Sequence, residues 1–187
     1  MSRVPMFEFR IVPTLLDAET CWNYSIGHAA AYRDFGRYAP SLLVDPELDM
    51  FMVVAIAHSA GAVGGVRIAV RHNPAAQLPC EELIAALRAS NPISCITARR
   101  PAELGGLWVQ RCFRGSGIGR SLLVKALKFS VQTFGVDHVS AIVPSYLRVV
   151  FESLRFVVDD RFGSAGWFSY PQESCRSALM HCAAAAN

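Results

Sequence analysis

The chain has 187 residues, a formal net charge of +3, 52% hydrophobic residues and 18% charged residues. This length suffices for one sizeable core, and such an apolar composition excludes a disordered chain. The charge is modest, and no run of basic residues suggests a nucleic-acid groove. We therefore expect one globular domain spanning residues 1–187, without a nucleic-acid partner.

The sequence also gives expectations about compartment and metals. No apolar run reaches the roughly 18 to 20 residues of a membrane span, and the first residues lack the apolar region of a signal peptide. The six cysteines include no CxxC pair and no cysteine–histidine spacing typical of zinc. We therefore expect a cytoplasmic protein with free thiols, no membrane association and no bound metal.

The first elements are a strand and helical segments. Residues 6–12 alternate well enough for a strand, and Thr14 is a plausible N-cap for the helix after it. Apolar residues then recur at helical spacing over 15–24 and again over 28–38. This pattern predicts two helices or one bent helix, with Ser25 and Gly27 at the break.

A hairpin and a short helix come next in the chain. Two apolar runs, 50–57 and 63–70, are separated by a short link that contains glycine, which favours an antiparallel pair. Gly64 and Gly65 suggest a bulge or close packing near the start of the second strand. A short helix is expected over 81–89.

The second half predicts a strand–helix–strand–helix–strand order. The helix after the glycine-rich turn is expected to end at Gly135. The predicted elements are a strand at 104–109, the helix after the turn, a strand at 139–143, a helix at 146–154, a strand starting at 156–158 and a closing segment at 177–183. This order is a layered α/β arrangement.

The glycine-rich turn lies between an apolar strand and a helix, at Arg114-Gly115-Ser116-Gly117-Ile118-Gly119-Arg120. Three glycines within five residues let the main chain turn tightly and approach a ligand closely. The free N–H groups of the next helix and the two flanking arginines favour an anion there. A phosphate or pyrophosphate is the expected guest. The alternative is that the glycines only make a tight strand–helix connection.

The motif around this turn resembles that of the GNAT superfamily of acyl-CoA N-acyltransferases. Arg114 to Gly119 fit the family pattern of Arg or Gln, Gly, any residue, Gly, any residue, Gly or Ala. A dinucleotide fingerprint and a P-loop do not fit the spacing. The resemblance implies an α/β fold with a mixed, mainly antiparallel sheet, helices on both faces and a central bulge.

The resemblance further implies coenzyme A binding, with acetyl-CoA or another acyl-CoA as the donor. The turn's backbone would hold the pyrophosphate, and the preceding strand edge would bond the pantetheine arm and the thioester carbonyl. The implied cofactor-binding residues are Leu107, Trp108, Val109, Arg114, Gly115, Ser116, Gly117, Ile118, Gly119 and Arg120.

The implied chemistry is direct attack of an amine on the thioester. Glu103, placed just before the strand, is the candidate base, and a solvated acid is the alternative. In the family, a tyrosine that acts as the general acid commonly occupies the position where this chain has Phe151. Tyr146 or Ser145 would substitute, and a packing role is the alternative for Tyr146. Without an acid, the thiolate would leave unaided.

A second, narrower pattern is formed by Ala31-Tyr32-Arg33-Asp34-Phe35, by Asp45 and Asp49 before the strand at Met50, by Gly64-Gly65-Val66-Arg67-Ile68, and by Glu103. This pattern resembles the branch that makes acyl-homoserine lactones and N-acyl amino acids from acyl carrier protein. Under it, Arg33, Asp45, Asp49 and Arg67 would line the acceptor or acyl side. The alternative for these residues is turn formation and surface solvation. Members of that branch usually have a degraded glycine turn, whereas this turn is intact.

Three functions therefore stay open. The first is an N-acyltransferase moving an acetyl or other short acyl group from coenzyme A to a small amine. The second is a synthase of the narrower branch, with an acyl carrier protein as partner. The third is a domain that binds a CoA ester without turnover. The acceptor side is expected to come from the first helices, the loop after them and the last strands. A homodimer is left open.

Overall fold

The computed structural model describes residues 7–14, 16–40, 45–58, 60–87 and 98–183. The strands are β1 Phe7–Pro13, β2 Leu48–Ala57, β3 Gly61–Arg71, β4 Pro101–Val109, β5 His138–Pro144, β6 Val157–Val158, β7 Phe168–Ser169 and β8 Arg176–Ala183. The helices are α1 Ala18–Arg33, α2 Pro79–Leu87, α3 Ile118–Phe134 and α4 Arg148–Glu152, with 3-10 turns at Arg111–Phe113 and Ser145–Leu147.

The strands form a sheet of order β1-β2-β3-β4-β5-β8-β6, with β7 also paired to β8. Every pair is antiparallel except β4 and β5, which run parallel. The β3–β4 register shifts between Gly65 and Arg67, which places a bulge in the middle of the sheet. The predicted mixed, mainly antiparallel sheet with a central bulge is confirmed.

The parallel pair is short. β4 and β5 are in register only over Pro101–Glu103 and His138–Ser140. Beyond those residues the two strands no longer pair, although both continue. The sheet therefore opens between the C-terminal ends of β4 and β5, and the candidate site lies at this opening.

Helices cover both faces because side chains alternate along the central strands. On one face Leu122 and Leu123 of α3 pack with Val66 and Leu104. On the other face α1 contributes Tyr24, which is fully buried with Met52 and Trp108. The second face continues under α2, where Ile84 packs with Met50 and Leu179. The near-continuous apolar runs of β2 and β3 are explained by this double burial.

Two details of the first helix differ from the prediction. The N-cap is Asp17, whose carboxylate accepts a hydrogen bond from the Thr20 amide at 2.8 Å, so the prediction of Thr14 was wrong. The two-helix alternative was also wrong, since α1 is a single helix. Gly27 does not break it. A Cβ there would overlap the Trp108 ring, so glycine is required for close packing on the sheet.

The predicted hairpin and the predicted end of the helix after the glycine turn are both found in the structure. β2 and β3 pair antiparallel, and a Cβ at Gly65 would lie 2.7 Å from the Tyr24 ring, which confirms close packing at that glycine. α3 ends at Gly135, whose φ is +63°. α2 begins two residues earlier than predicted, at Pro79, and predicted residues 88–89 lie outside the described ranges, as does Met6 of the first strand.

The helix predicted over 146–154 is shorter in the structure. Tyr146 belongs to a 3-10 turn, and the α-helix itself ends at Glu152. The five cysteines of the described ranges are free thiols, and Cys95 lies outside them. None of the helices in the described part of the chain is long and apolar enough to span a membrane.

Candidate active site

Two cavities meet where β4 and β5 separate. The first, here called the turn cavity, has a volume of about 410 Å³ and is bordered by the glycine turn, the end of β4, Phe35 and Leu147. The second, here called the strand cavity, has a volume of about 580 Å³ and is bordered by Glu103, Arg67 and Tyr170. Their position on either side of the strand opening makes this region the candidate site.

The glycine turn has the backbone geometry of an anion site. Gly115 and Gly117 have φ values of +80° and +84°, which other residues rarely adopt. A Cβ at either position would meet nothing within 4 Å, so the space beyond them is open. Gly119 has an ordinary φ, and its Cβ would touch Val109 at 3.7 Å. The first two glycines are therefore needed for backbone conformation, whereas a small side chain fits at the third.

The helix after the turn begins without a capping side chain. Gly117 is the N-cap of α3, and no side chain in the described ranges bonds to the first-turn amides. Ile118, Gly119 and Arg120 lie in that first turn and border the turn cavity. Unpaired N–H groups at a helix N-terminus attract an anion through hydrogen bonding and the helix dipole.

The two arginines of the motif have different environments. Arg114 donates from Nη2 to Asp34 at 2.8 Å and from Nε to the Val109 carbonyl at 3.1 Å. Its guanidinium also lies 4.6 Å from the centre of the Phe35 ring. Arg120 is exposed at the rim of the cavity. Both arginines therefore border the turn cavity, but the charge of Arg114 is partly neutralised by Asp34.

A small cavity of about 30 Å³ lies between the two larger ones. Its walls include Leu104 and Leu107 of β4, Ile142 of β5, and Phe151 of α4. It shares Leu107 with the turn cavity and Ile142 with the strand cavity. Such a volume holds about one water molecule or methyl group.

Glu103 lies inside β4, because the strand begins at Pro101, so its predicted place just before the strand was wrong. The side chain is 5% exposed and borders the strand cavity. Its Oε2 accepts a hydrogen bond from the Cys80 amide at 2.6 Å. Burial raises the pKa of Glu103, while the nearby Arg67 and the Cys80 bond act in the opposite direction. A carboxylate with a raised pKa is suited to accept a proton.

The predicted acid positions differ in character. Phe151 is 3% exposed and packs edge-on against Phe156 at 5.1 Å, so the floor of the small cavity is apolar. Tyr146 is 48% exposed, borders the small cavity and the turn cavity, and stacks on Phe35 at 5.1 Å. Burial raises the pKa of Tyr146, and a hydrogen bond with Arg37 acts in the opposite direction.

The residues of the narrower resemblance are only partly brought together. Asp45 and Arg67 border the strand cavity. Asp49 instead lies 3.2 Å from His72, and Arg33 is exposed at the end of α1. Neither Asp49 nor Arg33 borders the turn cavity, the strand cavity or the small cavity.

The sequence assigned no specific role to Tyr32 on α1 or to Asp34 at its C-terminal end. Tyr32 borders all three cavities, and Asp34 holds Arg114. The sequence signals for Tyr32 are its place in the segment 31–35 of the narrower resemblance and its spacing of four residues from His28, which places both rings on one helix face. Neither signal distinguishes a site residue from one that only packs.

Comparisons with known proteins bear on the fold. No protein-family model and no curated protein matches this sequence. Among solved structures, FeeM, an N-acyl amino acid synthase from uncultured soil microbes, is 15% identical with a TM-score of 0.67, covering 96% of this chain and 92% of FeeM. An acyl-CoA N-acyltransferase from Pseudomonas aeruginosa is 13% identical with a TM-score of 0.64, covering 95% and 100%.

The chain has the GNAT fold. A third structure, the CoA-dependent acyl-homoserine lactone synthase MesI, is 14% identical with a TM-score of 0.62, covering 95% of this chain and 89% of MesI. Both resemblances found in the sequence thus have counterparts among proteins of this GNAT fold. At these identities the similarity establishes the architecture, and the residues of the site must supply the argument for function.

Proposed function

We propose that this chain is an N-acyltransferase that moves an acetyl or other short acyl group from coenzyme A to a small amine by direct attack. The observation that carries this proposal is the meeting of two cavities at the opening between β4 and β5. One has the uncapped N-terminus of α3 in its wall, and the other has the buried carboxylate of Glu103.

The turn cavity is proposed to hold the donor. Its amides at residues 115–120 suit the pyrophosphate of coenzyme A, since Gly115 and Gly117 keep the space in front of them open. Arg120 adds positive charge at the rim. The β4 residues Leu107 to Val109 lie in the same wall and no longer pair with β5, so their edge suits an extended pantetheine arm.

The strand cavity is proposed to hold the acceptor amine. Glu103, Asp45 and Glu82 give its wall negative charge, which suits an ammonium group. Only a deprotonated amine attacks the thioester carbon, and Glu103 is the proposed group that removes the proton. Arg67, in the same wall, moderates the pKa of Glu103.

The small cavity between them supports a short acyl group. Its volume of about 30 Å³ matches the methyl group of acetyl rather than a long chain. Val66 and Leu104 at its walls are 0% and 1% exposed, so neighbouring atoms leave little room for expansion.

A second candidate is a synthase of the FeeM or MesI kind. It is favoured by Asp45 and Arg67, which border the strand cavity as that resemblance requires. The intact glycine turn and the small acyl cavity favour the first candidate. A binding domain without turnover is the third candidate, because Phe151 replaces the family's tyrosine.

Thermal denaturation and thiol release separate the three. We expect acetyl-CoA to raise the melting temperature through mass action, with about 2.7 kcal/mol at a concentration of 100 Kd. We expect thiol release when amines are added. No melting shift at millimolar acetyl-CoA would refute the first candidate. A shift without thiol release across an amine panel would support the binding domain, and turnover only with a long-chain acyl carrier protein would support the synthase.

A further inference from the structure

Tyr32 occupies a special position among the described residues. It lies on the last turn of α1 and is the one residue that borders the turn cavity, the strand cavity and the small cavity. An acyl group passing from the donor to the acceptor must cross the point where these cavities meet. The Tyr32 side chain therefore lies beside the proposed path of the reaction.

The ring of Tyr32 is anchored, while its hydroxyl is open. The ring packs edge-on against His28 at 4.9 Å between centroids. Within the described ranges, the Tyr32 hydroxyl makes no hydrogen bond. Its oxygen is not fully buried, so a ligand can reach it. By contrast, the hydroxyl of Tyr24, two turns earlier on α1, donates to the Gly106 carbonyl. An anchored ring with an open hydroxyl can present a proton to a ligand.

Such a proton would speed the reaction by stabilising the leaving sulfur. Breaking a thioester by amine attack leaves a thiolate, and the position where the family commonly places a tyrosine is Phe151, which is buried and apolar. Tyr32 and Phe151 border the same small cavity. A hydroxyl from α1 can therefore reach the space that a hydroxyl from α4 would otherwise serve.

We propose that Tyr32 is the catalytic acid of the acyl transfer, donating its hydroxyl proton to the sulfur of coenzyme A. This role rests on the proposed function. The amine nitrogen forms a bond to the thioester carbon, and the carbon–sulfur bond breaks with its electron pair going to sulfur. Before the attack, Glu103 passes the proton that it takes from the ammonium group to solvent, so it is again a carboxylate. Sulfur then takes the proton of Tyr32, and Glu103 takes the second proton from the attacking nitrogen. The proton on Glu103 then returns through solvent to the Tyr32 oxygen.

The electrostatics keep the acid protonated before the reaction. Burial raises the pKa of Tyr32, and neighbouring Tyr146, Tyr170 and Cys175 raise it further, whereas Arg37 lowers it. The phenol therefore carries its proton at neutral pH, as a proton donor must.

The first test is Tyr32→Phe, which keeps the ring and removes the hydroxyl. We expect kcat to fall about 100-fold, the low end of the usual range for general acid catalysis. The KM for acetyl-CoA and the melting shift with coenzyme A should stay within twofold of wild type. Tyr38→Phe is the matched control, since Tyr38 is 84% exposed and borders none of the three cavities. Tyr146→Phe tests the rival hydroxyl.

A second variant separates acid catalysis from packing. Site-specific 3-fluorotyrosine at position 32 keeps the ring and the hydroxyl but lowers the phenol pKa. We expect kcat at neutral pH to rise, because a more acidic donor protonates the sulfur more readily, with the melting temperature unchanged. A residue that only packs leaves kcat at the wild-type value.

Full activity of Tyr32→Phe, with a loss in Tyr146→Phe, overturns this role and leaves the proposed function intact. A wild-type kcat in the fluorinated chain also overturns it. A wild-type chain that binds acetyl-CoA but releases no thiol with any amine overturns both proposals together.

Discussion

The two large cavities are built in different ways. The turn cavity takes most of its wall from one continuous stretch, residues 107–120, and offers a ligand mainly backbone amides. The strand cavity takes its wall from α1, β2, β3, α2, β4, β5 and the loop at Tyr170, and offers mainly side chains. Backbone amides can bind a phosphate whatever side chains surround them. The turn cavity therefore depends on backbone conformation, whereas the strand cavity depends on which side chains line it. Substitutions should affect the two cavities differently.

The strongest way to break the turn cavity is Gly117→Val. We expect the melting shift with acetyl-CoA to disappear, because a Cβ at a φ of +84° strains the turn and a side chain enters the anion space. Gly61→Val is the matched control, with a φ of +68° and equally open surroundings. Backbone strain alone should lower the melting temperature of both variants. A ligand shift that survives in the Gly117 variant would show that the turn is not the site.

The strongest way to break the strand cavity is Glu103→Gln. We expect kcat to fall about 100-fold or more while acetyl-CoA still shifts the melting temperature, since the donor side is untouched. Glu173→Gln, an exposed acid that borders none of the three cavities, is the control and should keep the wild-type kcat.

The pH dependence sharpens this expectation. Because burial raises the pKa of Glu103, the wild-type rate should fall with decreasing pH at a higher pH than for an ordinary glutamate. The Glu103→Gln variant should lose this acidic limb. Wild-type rates in the variant, or an unchanged limb, would remove Glu103 as the base.

The connection between the cavities is tested by Phe151→Val. Shortening this side chain enlarges the small cavity, and we expect the ratio of hexanoyl-CoA to acetyl-CoA turnover to rise about tenfold. The lost packing against Phe156 should lower the melting temperature. Val149→Ala, in the same helix but 76% exposed, should change neither quantity. An unchanged donor preference in a folded Phe151 variant would place the acyl group elsewhere.

The smallest expected effect is that of Asp34→Asn. Its carboxylate holds Arg114, and both side chains are about one-third exposed. Removing the charge should free the guanidinium for the anion and tighten coenzyme A about two- to fivefold, as for a partly exposed ion pair. Calorimetric titration at low and high salt measures this, with the gain shrinking at high salt. Weaker binding would mean that Asp34 positions Arg114 for the ligand.

The difference between the cavities also explains what could be predicted from sequence. The glycine turn and α3 could be predicted from sequence because their signals are close together in the chain. These signals are the glycine spacing, the apolar residues at helical spacing along α3, and the cap at Gly135. The start of β4 was predicted three residues too late, at 104 instead of Pro101, so Glu103 was placed outside the strand. The strand start is fixed by pairing with β3 and β5 rather than by its own sequence. The place of Tyr32 at the junction depends on how α1 lies on the sheet. No local pattern encodes that placement.

Gly27 illustrates the same limit. In sequence it suggested a helix break, yet in the structure its missing side chain admits the Trp108 ring between α1 and the sheet. The glycine does mark an unusual position, but the reason is packing against Trp108 rather than a helix break. A position can require glycine for its neighbour's volume rather than for its own backbone.

The short pairing of β4 with β5 has a consequence for the dynamics of the whole sheet. Only three residues of each strand join β1–β4 to β5–β8 directly through the ladder. The backbone ladder is therefore thinnest at this point, and amides beside the opening should exchange with solvent sooner than those inside each half. A molecule that lies along both strands would bridge the opening, and we expect it to slow that exchange.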